Sequence, residues 1–114
     1  AHYKLDNLCA ILDYNKLQIS GTTAEVCNTE PVDAKFESFG WSVRHVDGHD
    51  IDALIKAFNA LPFEAGKPSF IIAHTVKGKG VSYMENNVKW HHGVPNQEQY
   101  KEALHELDEA LAAY

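Results

Sequence analysis

The apolar run Phe70-Ile71-Ile72-Ala73, inside the segment 68–76, is the clearest structural signal in the sequence. A short uninterrupted run of this kind is typical of a strand covered on both faces, as strands of a parallel sheet are. Residues 8–12 form a second such run, and residues 41–46 alternate apolar and polar side chains with β-branched and aromatic members. We therefore predict three strands, of which 8–12 and 68–76 are inner strands.

The segments between and after these strands have helical spacing. Val32 and Phe36 follow Pro31 before Gly40 ends the helix, and a fuller apolar stripe spans residues 51–61. Asp50 stands where it caps that second helix. A third helix, with Asn96 and Gln99 as its capping pair, runs to the end of the chain. Alternating strands and helices predict an α/β fold, a parallel sheet with right-handed helical crossovers.

The overall composition narrows the possible functions. The chain has 114 residues, 45% of them hydrophobic and 23% charged, as one folded domain would have. Its net charge of −6 opposes binding to nucleic acid or to an anionic membrane surface. No apolar stretch approaches the roughly 20 residues of a membrane span, so we expect a cytoplasmic protein. Cys9 and Cys27 are interpreted as buried small hydrophobic residues, with a redox function as the alternative.

The connection after the first strand carries oxygen donors. In an open parallel sheet, ligands bind beyond the carboxyl ends of the strands. Asn15 has an amide oxygen and Leu17 a backbone carbonyl, and Mg²⁺ takes such oxygens together with phosphate and water. These two groups are candidates for a metal that holds a diphosphate. The alternative is a turn in which Asn15 and Gly21 merely adopt unusual backbone angles.

A second group of candidates lies in the long loop after the third strand, residues 77–95. Lys77 and Lys79 alternate with glycines, which lets ammonium and backbone groups approach a phosphate, although such lysines are also commonly just solvated. His91 and His92 are adjacent, and nothing nearby completes a zinc site. His45 is interpreted as a surface residue. Loops of this length are usually functional or disordered.

Several blocks in this order resemble the thiamine diphosphate-binding domain of transketolases, and the resemblance spans residues 3–107. The strongest resemblance is to forms split into two subunits. The first strand with its connection is similar to the closing half of the family's thiamine diphosphate motif. The blocks are Asp13-Tyr14-Asn15-Lys16-Leu17-Gln18-Ile19-Ser20-Gly21, Phe39-Gly40-Trp41, Val46-Asp47-Gly48-His49-Asp50, Lys67-Pro68, His74-Thr75-Val76-Lys77-Gly78-Lys79-Gly80 and His92-Gly93-Val94-Pro95.

The resemblance assigns roles to five residues. It implies that Asn15 and the carbonyl of Leu17 ligate Mg²⁺ (or Ca²⁺) and that Ile19 packs on the cofactor. Lys77 would face the cofactor end of the site, and His92 would contact the diphosphate and assist proton transfer as the catalytic residue. The family's third metal ligand, the Asp of Gly-Asp-Gly, does not occur in the sequence. Since the chain opens without Met, we expect residues 1–114 to be a partial domain whose Gly-Asp-Gly half lies upstream.

The resemblance also implies an activity. The parent enzyme would transfer a two-carbon ketol unit between sugar phosphates, in the pentose phosphate pathway, using thiamine diphosphate. Its partners would be a homodimer mate and a complementary transketolase domain or subunit, so that this chain alone would be inactive. The alternatives are another thiamine enzyme, such as deoxyxylulose phosphate synthase or the decarboxylating component of a 2-oxoacid dehydrogenase, and a non-catalytic interaction module that pairs through an exposed sheet edge.

Overall fold

The computed structural model describes residues 1–113, which divide into two compact units. Unit 1 contains Ala1–Asn15 and Cys27–Thr75, and unit 2 contains Lys16–Val26 and the chain from Val76 onward. In chain order the elements are β1 (Cys9–Tyr14), β2 (Leu17–Gln18), β3 (Gly21–Thr22), α1 (Thr23–Val26), α2 (Val32–Ser38), β4 (Ser42–Asp47), α3 (Ile51–Asn59), β5 (Ser69–His74), a 3₁₀ turn (Val88–His91) and α4 (Gln97–Ala112).

Unit 1 contains a three-stranded parallel sheet in the order β1-β5-β4. This confirms the predicted α/β fold with helical crossovers. The central strand, β5, is buried along all of its length except His74. On one face of the sheet Leu54 of α3 packs against the core cluster of Val46, Ile71 and Ala73. On the other face the ring of Phe36 from α2 stacks on Phe70 with 3.7 Å between ring centroids, and Trp41 meets both rings edge-on.

The prediction that the first strand is an inner strand is wrong for the sheet formed by residues 1–113. There β1 pairs only with β5 and forms one edge, and the side chain of Ile11 is 55% exposed. An apolar run shows that a strand can be buried on both faces, but its place in the sheet depends on which strands pair with it. Only β5 has the continuous burial that both runs suggested.

Local signals placed α3 correctly. The carboxylate of Asp50 accepts a hydrogen bond from the backbone N–H of Ala53 at 2.9 Å, as expected of an N-cap. The apolar stripe of α3 is wider than the face that packs in unit 1. Leu54 contacts the core, whereas Ile51 and Ile55 are 65% and 51% exposed.

Unit 2 contains the hairpin β2–β3, the short helix α1, the loop 76–95 and α4. Asn96 and Gln99 form the predicted capping box, each side chain bonding the other's backbone N–H, and α4 follows directly. The sequence predicted only a surface connection over residues 15–28, and it did not predict the hairpin β2–β3 or the helix α1 that the structure has there. Among residues 1–113 no helix is long and apolar enough to cross a membrane.

Candidate functional site

The carboxyl end of β1 places Asn15 next to the central strand of unit 1. The backbone N–H of Thr75 donates to the carbonyl of Tyr14 at 3.4 Å, and the Thr75 hydroxyl donates to the carboxylate of Asp13. The same carboxylate accepts a hydrogen bond from the side-chain nitrogen of Asn15 at 3.4 Å. These bonds fix the residues around Asn15 to the end of β5. The predicted position of Asn15, just beyond a strand of a parallel sheet, is therefore what the structure shows.

The turn after β4 closes tightly on the same end of the sheet. The N–H of Gly48 donates to the carbonyl of His74 at 2.8 Å. A Cβ atom at Gly48 would lie 2.4 Å from Cγ2 of Thr75, so only glycine fits without displacement. This backbone hydrogen bond and the missing side chain at Gly48 thus hold the ends of β4 and β5 close together.

The chemistry of the donors in unit 1 suits a hard cation. The amide of Asn15 offers a neutral oxygen, and Mg²⁺ prefers oxygen ligands and usually retains water and phosphate oxygens in its shell. Among residues 1–113 no group of three or more His, Cys, Asp or Glu side chains could hold a metal ion. A zinc site of the usual nitrogen and sulfur ligands therefore has no counterpart in the described part of the chain. An oxygen donor at the strand end fits one position of a magnesium shell.

In unit 2, Leu17 and Ile19 belong to a hairpin with a two-residue turn. Leu17 pairs with Thr22, and the turn consists of Ile19 and Ser20. The carbonyl of Lys16 accepts a hydrogen bond from the N–H of Thr23 at 2.9 Å, which closes the base of the hairpin. The side chain of Ile19 is 61% exposed at its tip. An exposed branched aliphatic residue at such a tip is available for contact with a flat apolar group.

The beginning of the loop 76–95 is folded back on itself. The N–H of Asn86 donates to the carbonyl of Lys77 at 2.9 Å, so the two ends of segment 77–86 are joined. Gly78 has a φ of +75° and lies against the backbone of Met84. Within the segment, the carboxylate of Glu85 accepts a hydrogen bond from the N–H of Gly80 at 3.1 Å. The backbone at Lys77 therefore has a defined position although the segment has no regular secondary structure.

Two contacts fasten this loop to α4. The carboxylate of Glu106 accepts hydrogen bonds from the hydroxyl of Ser82 at 2.5 Å and from its N–H at 2.6 Å. Both bonds lower the pKa of Glu106 because they favour its ionised form, and the bond from the hydroxyl has the larger effect. The Tyr83 hydroxyl donates to the carbonyl of Gln99 at 2.8 Å. Since α4 is the longest helix of the described chain, it gives the loop a rigid support.

His92 follows the 3₁₀ turn at the other end of the loop. The indole N–H of Trp90 donates to the carbonyl of Tyr83 at 3.0 Å, which anchors the turn to the first part of the loop. The rings of His91 and His92 meet edge-on with 4.4 Å between centroids, and both residues are exposed. An exposed imidazole on an anchored turn can accept a hydrogen bond from, or donate one to, a ligand that reaches it.

The sequence interpretation missed a pair of histidines in unit 1. His45 Nδ1 and His74 Nε2 are 2.8 Å apart. The two residues are 29 positions apart, and they meet because β4 and β5 are parallel neighbours. Only the strand order and register could have predicted this contact.

Comparisons with known proteins agree with one another. The sequence family described as "Transketolase, thiamine diphosphate binding domain" matches residues 1–108. One subunit of the apulose-4-phosphate transketolase of Phocaeicola vulgatus is 50% identical over 109 residues, which are 96% of this chain and 39% of that protein. The 6-deoxy-6-sulfo-D-fructose transketolase subunit SqwG of a Clostridium species is 41% identical over 92% of this chain and 38% of its own length.

The structural comparison gives the same result. The crystal structure of transketolase from Campylobacter jejuni superposes with a TM-score of 0.82 and 34% identity, over 94% of this chain and 17% of that one. The chain spans about two fifths of the length of the two curated relatives.

Proposed function

The chain belongs to the transketolase thiamine diphosphate-binding domain family, and from that membership we propose that it acts in a transketolase that transfers a two-carbon ketol unit between sugar phosphates. The observation that carries the proposal is the family match over residues 1–108. The position of Asn15 just beyond a parallel strand supports it. We propose that residues 1–114 are part of this domain and that the Gly-Asp-Gly half is supplied from elsewhere.

The metal ligands proposed from this chain are two oxygens. Asn15 would supply its side-chain oxygen. The hydrogen bond from its side-chain nitrogen to the Asp13 carboxylate, at 3.4 Å, supports this. The bond orients the amide group at the strand end, and it identifies which side-chain atom is the donating nitrogen and which is the accepting oxygen. Leu17 would supply its backbone carbonyl. Mg²⁺, or Ca²⁺ in its place, would take its remaining ligands from diphosphate, water and the upstream Asp.

Three further residues have proposed contacts with thiamine diphosphate. Ile19 would pack on its rings, as its exposure at the hairpin tip allows. Lys77 would face the diphosphate with its ammonium group, from a backbone position fixed by the hydrogen bond of Asn86. His92 would contact the diphosphate and hold or release the proton of a substrate hydroxyl, the role of a general acid and base.

This division of labour explains why the described residues contain few groups of obvious catalytic type. When bound, thiamine diphosphate supplies the electron-accepting chemistry that amino-acid side chains lack, and the protein supplies binding, orientation and proton transfer. The two curated relatives are named for apulose-4-phosphate and 6-deoxy-6-sulfo-D-fructose. We accordingly propose a sugar that carries a phosphate or a comparable anionic group as the substrate class.

The proposed partners follow from the same relatives. Both are named as subunits of transketolases. We propose that this chain works in a homodimer, with a complementary transketolase domain or subunit, in the cytoplasm, and that it is inactive by itself. Neither nucleic acid nor a membrane is proposed as a partner, because the net charge of −6 repels both.

Calorimetric titration tests the proposal. Thiamine diphosphate with MgCl₂ is titrated into the 114-residue chain and into a chimera in which the chain replaces the matching 109-residue stretch of the P. vulgatus protein. The chimera is measured with and without its complementary subunit. Binding only in the assembled chimera, together with ketol transfer, is the expected result. No binding in either protein contradicts the proposal and favours a non-catalytic module.

Substitution of Asn15 tests its role as a ligand. Asn15→Ala in the assembled chimera should weaken Mg²⁺-dependent binding of thiamine diphosphate by at least about 10- to 100-fold, the loss typical when only a supporting partner of a ligand is removed, because here a direct oxygen ligand is lost. Substrate binding should weaken much less. Asn7→Ala is the matched control, since Asn7 is an exposed residue of the same type before the other end of β1. Equal losses of cofactor and substrate affinity would argue against a metal ligand.

A further inference from the structure

Five side chains of unit 1 form a series of contacts that starts and ends near the beginning of α2 and passes across the three strands. We call this set the polar circuit, and its members are Tyr14, Glu30, Asp33, His45 and His74. The contacts run from Asp33 of α2 to His45 of β4, to His74 of β5, to Tyr14 of β1, and back to Glu30 just before α2. The proposed function uses none of these side chains.

The two histidines are joined by one hydrogen bond. His45 Nδ1 and His74 Nε2 are 2.8 Å apart, with the rings inclined by 22° and their centroids separated by 5.1 Å. For this contact to be a hydrogen bond, one nitrogen must carry a proton and the other must present its lone pair. The gap between the rings therefore holds one proton.

Asp33 determines which nitrogen carries that proton. Its Oδ2 atom lies 3.7 Å from His45 Nε2. The negative charge of an ionised carboxylate at this distance attracts a proton, so it favours the tautomer of His45 with a proton on Nε2. Nδ1 of neutral His45 is then the acceptor, and His74 donates from Nε2. His74 thus donates to His45, and Nε2 of His45 lies beside the Asp33 carboxylate at 3.7 Å, a charge contact too long for a hydrogen bond.

The remaining members keep a constant charge near neutral pH. The Tyr14 hydroxyl donates to the carboxylate of Glu30. This bond lowers the pKa of Glu30 and raises the pKa of Tyr14, because it favours the ionised acid and the neutral phenol. Glu30 is therefore ionised and Tyr14 neutral between about pH 5 and 8, the interval in which histidine ordinarily changes charge.

The circuit is connected to the beginning of α2 by backbone hydrogen bonds. The carboxylate of Asp33 accepts from the N–H of Ala34 at 2.8 Å, and that of Glu30 accepts from the N–H of Val32 at 3.2 Å. Several other charged groups on these elements have partners of their own. Lys35 donates to the carbonyl of Thr29, Asp47 accepts from the N–H of His49, Asp13 accepts from the Thr75 hydroxyl, and the Arg44 guanidinium lies over the ring of Phe63. A change in the charge of His45 or His74 should therefore affect, before any other contact, the one between the sheet and the beginning of α2.

We propose that the polar circuit is a pH-sensitive contact, which holds the beginning of α2 on the sheet while His45 and His74 share at most one extra proton and opens when both are protonated. One extra proton leaves an N–H⁺···N bond beside the Asp33 carboxylate, so the contact persists. A second proton removes the last acceptor in the gap and places two cations side by side. The side chains of His45 and Asp33 are 49% and 45% exposed, so solvent protons reach them.

A metal ion is not the expected occupant of the gap. Two nitrogens 2.8 Å apart are at hydrogen-bonding distance, and among residues 1–113 no third His, Cys, Asp or Glu completes a metal-binding group. The contact is therefore controlled by protons and not by a metal ion, and it should be unchanged when EDTA removes metal ions from the solution.

The test is a pH titration of the 114-residue chain, labelled with ¹⁵N in its histidine rings, by NMR in the presence of EDTA. We expect nitrogen–nitrogen coupling between His45 and His74 at pH 7, two linked protonation steps, and loss of the coupling together with a shift of the Trp41 indole signal at the second step. Trp41 reports on α2 because its ring contacts Phe36.

Three variants complete the test. His45→Gln should convert the titration of His74 to a single independent step, and Asp33→Asn, which keeps the shape of the side chain, should move the first step to lower pH. His105→Gln is the control, because His105 lies in unit 2 with Glu109 as its partner and should change neither curve. Independent titration of His45 and His74 in the unsubstituted chain, or a His74 curve unaffected by His45→Gln, would overturn the proposal.

Discussion

Replacement of Gly78 by alanine tests how the loop that carries Lys77 is held. Gly78 has a φ of +75°, and a Cβ built there would lie 2.5 Å from the carbonyl oxygen of Met84 and 2.7 Å from its carbonyl carbon. The left-handed backbone costs an L-residue about 1–2 kcal/mol. Overpacking against backbone adds roughly 1–3 kcal/mol, because backbone cannot rotate away as a side chain does. The loop should therefore be destabilised by about 2–5 kcal/mol relative to its open state.

Gly80→Ala is the matched control for this prediction. Gly80 also has a left-handed φ, +95°, but its nearest neighbour would be Cδ2 of Leu107 at 3.5 Å, an ordinary contact. This substitution should cost only the backbone contribution of about 1–2 kcal/mol. The difference between the two variants therefore isolates the close approach of Gly78 to Met84.

Amide hydrogen exchange measures both variants. The N–H of Asn86, bonded to the carbonyl of Lys77, and the N–H of Val81, bonded to the carbonyl of Gly78, report on closure of the loop. In Gly78→Ala their protection should fall by at least about fivefold more than in Gly80→Ala, the ratio that corresponds to the lower end of the overpacking contribution, about 1 kcal/mol. Equal losses in the two variants would refute the reasoning, since they would show that the contact with Met84 contributes nothing.

Two further predictions concern the contacts that fix the loop and the strand ends. The protection factor of the Ser82 N–H, its exchange rate compared with the intrinsic rate at the same pH, should fall as the pH drops below about 4. A carboxylate whose pKa is lowered in the folded state stabilises that state above its unfolded value of about 4.3 and loses this contribution as it protonates. Glu106→Gln should abolish that pH dependence, and persistence of the dependence would assign it to another group. Gly48→Ala should cost about 1–3 kcal/mol in urea unfolding, through its approach to Cγ2 of Thr75. The same substitution in a Thr75→Ser background, which lacks that methyl group, should cost less, and an equal cost would show that the methyl group is not the obstacle.

The sequence predicted best those features that depend on a few neighbouring residues. The N-cap at Asp50 and the capping box of Asn96 and Gln99 are both confirmed, because a cap is determined within one helical turn. The parallel sheet was also predictable, since alternating strands and helices leave few topologies. The hairpin formed by β2 and β3 was missed, because strands of two residues have no measurable period.

Features that depend on distant parts of the chain could not be predicted. The edge position of β1 follows from its pairing with β5, which lies 60 residues later in register, Cys9 opposite Ser69. The contact of His45 with His74 depends on the same strand order. The candidate residue Asn15 was identified because strand ends bind ligands in parallel sheets, a rule of topology. The roles of Ile19 and His92 came from family resemblance alone, and they stay predictions.

The most direct test of the account is a crystal structure of the assembled chimera with thiamine diphosphate and Ca²⁺. The account predicts Oδ1 of Asn15 and the carbonyl oxygen of Leu17 in the coordination shell of the ion, at about 2.3–2.6 Å. A cation on the diphosphate that neither oxygen touches would contradict the central claim.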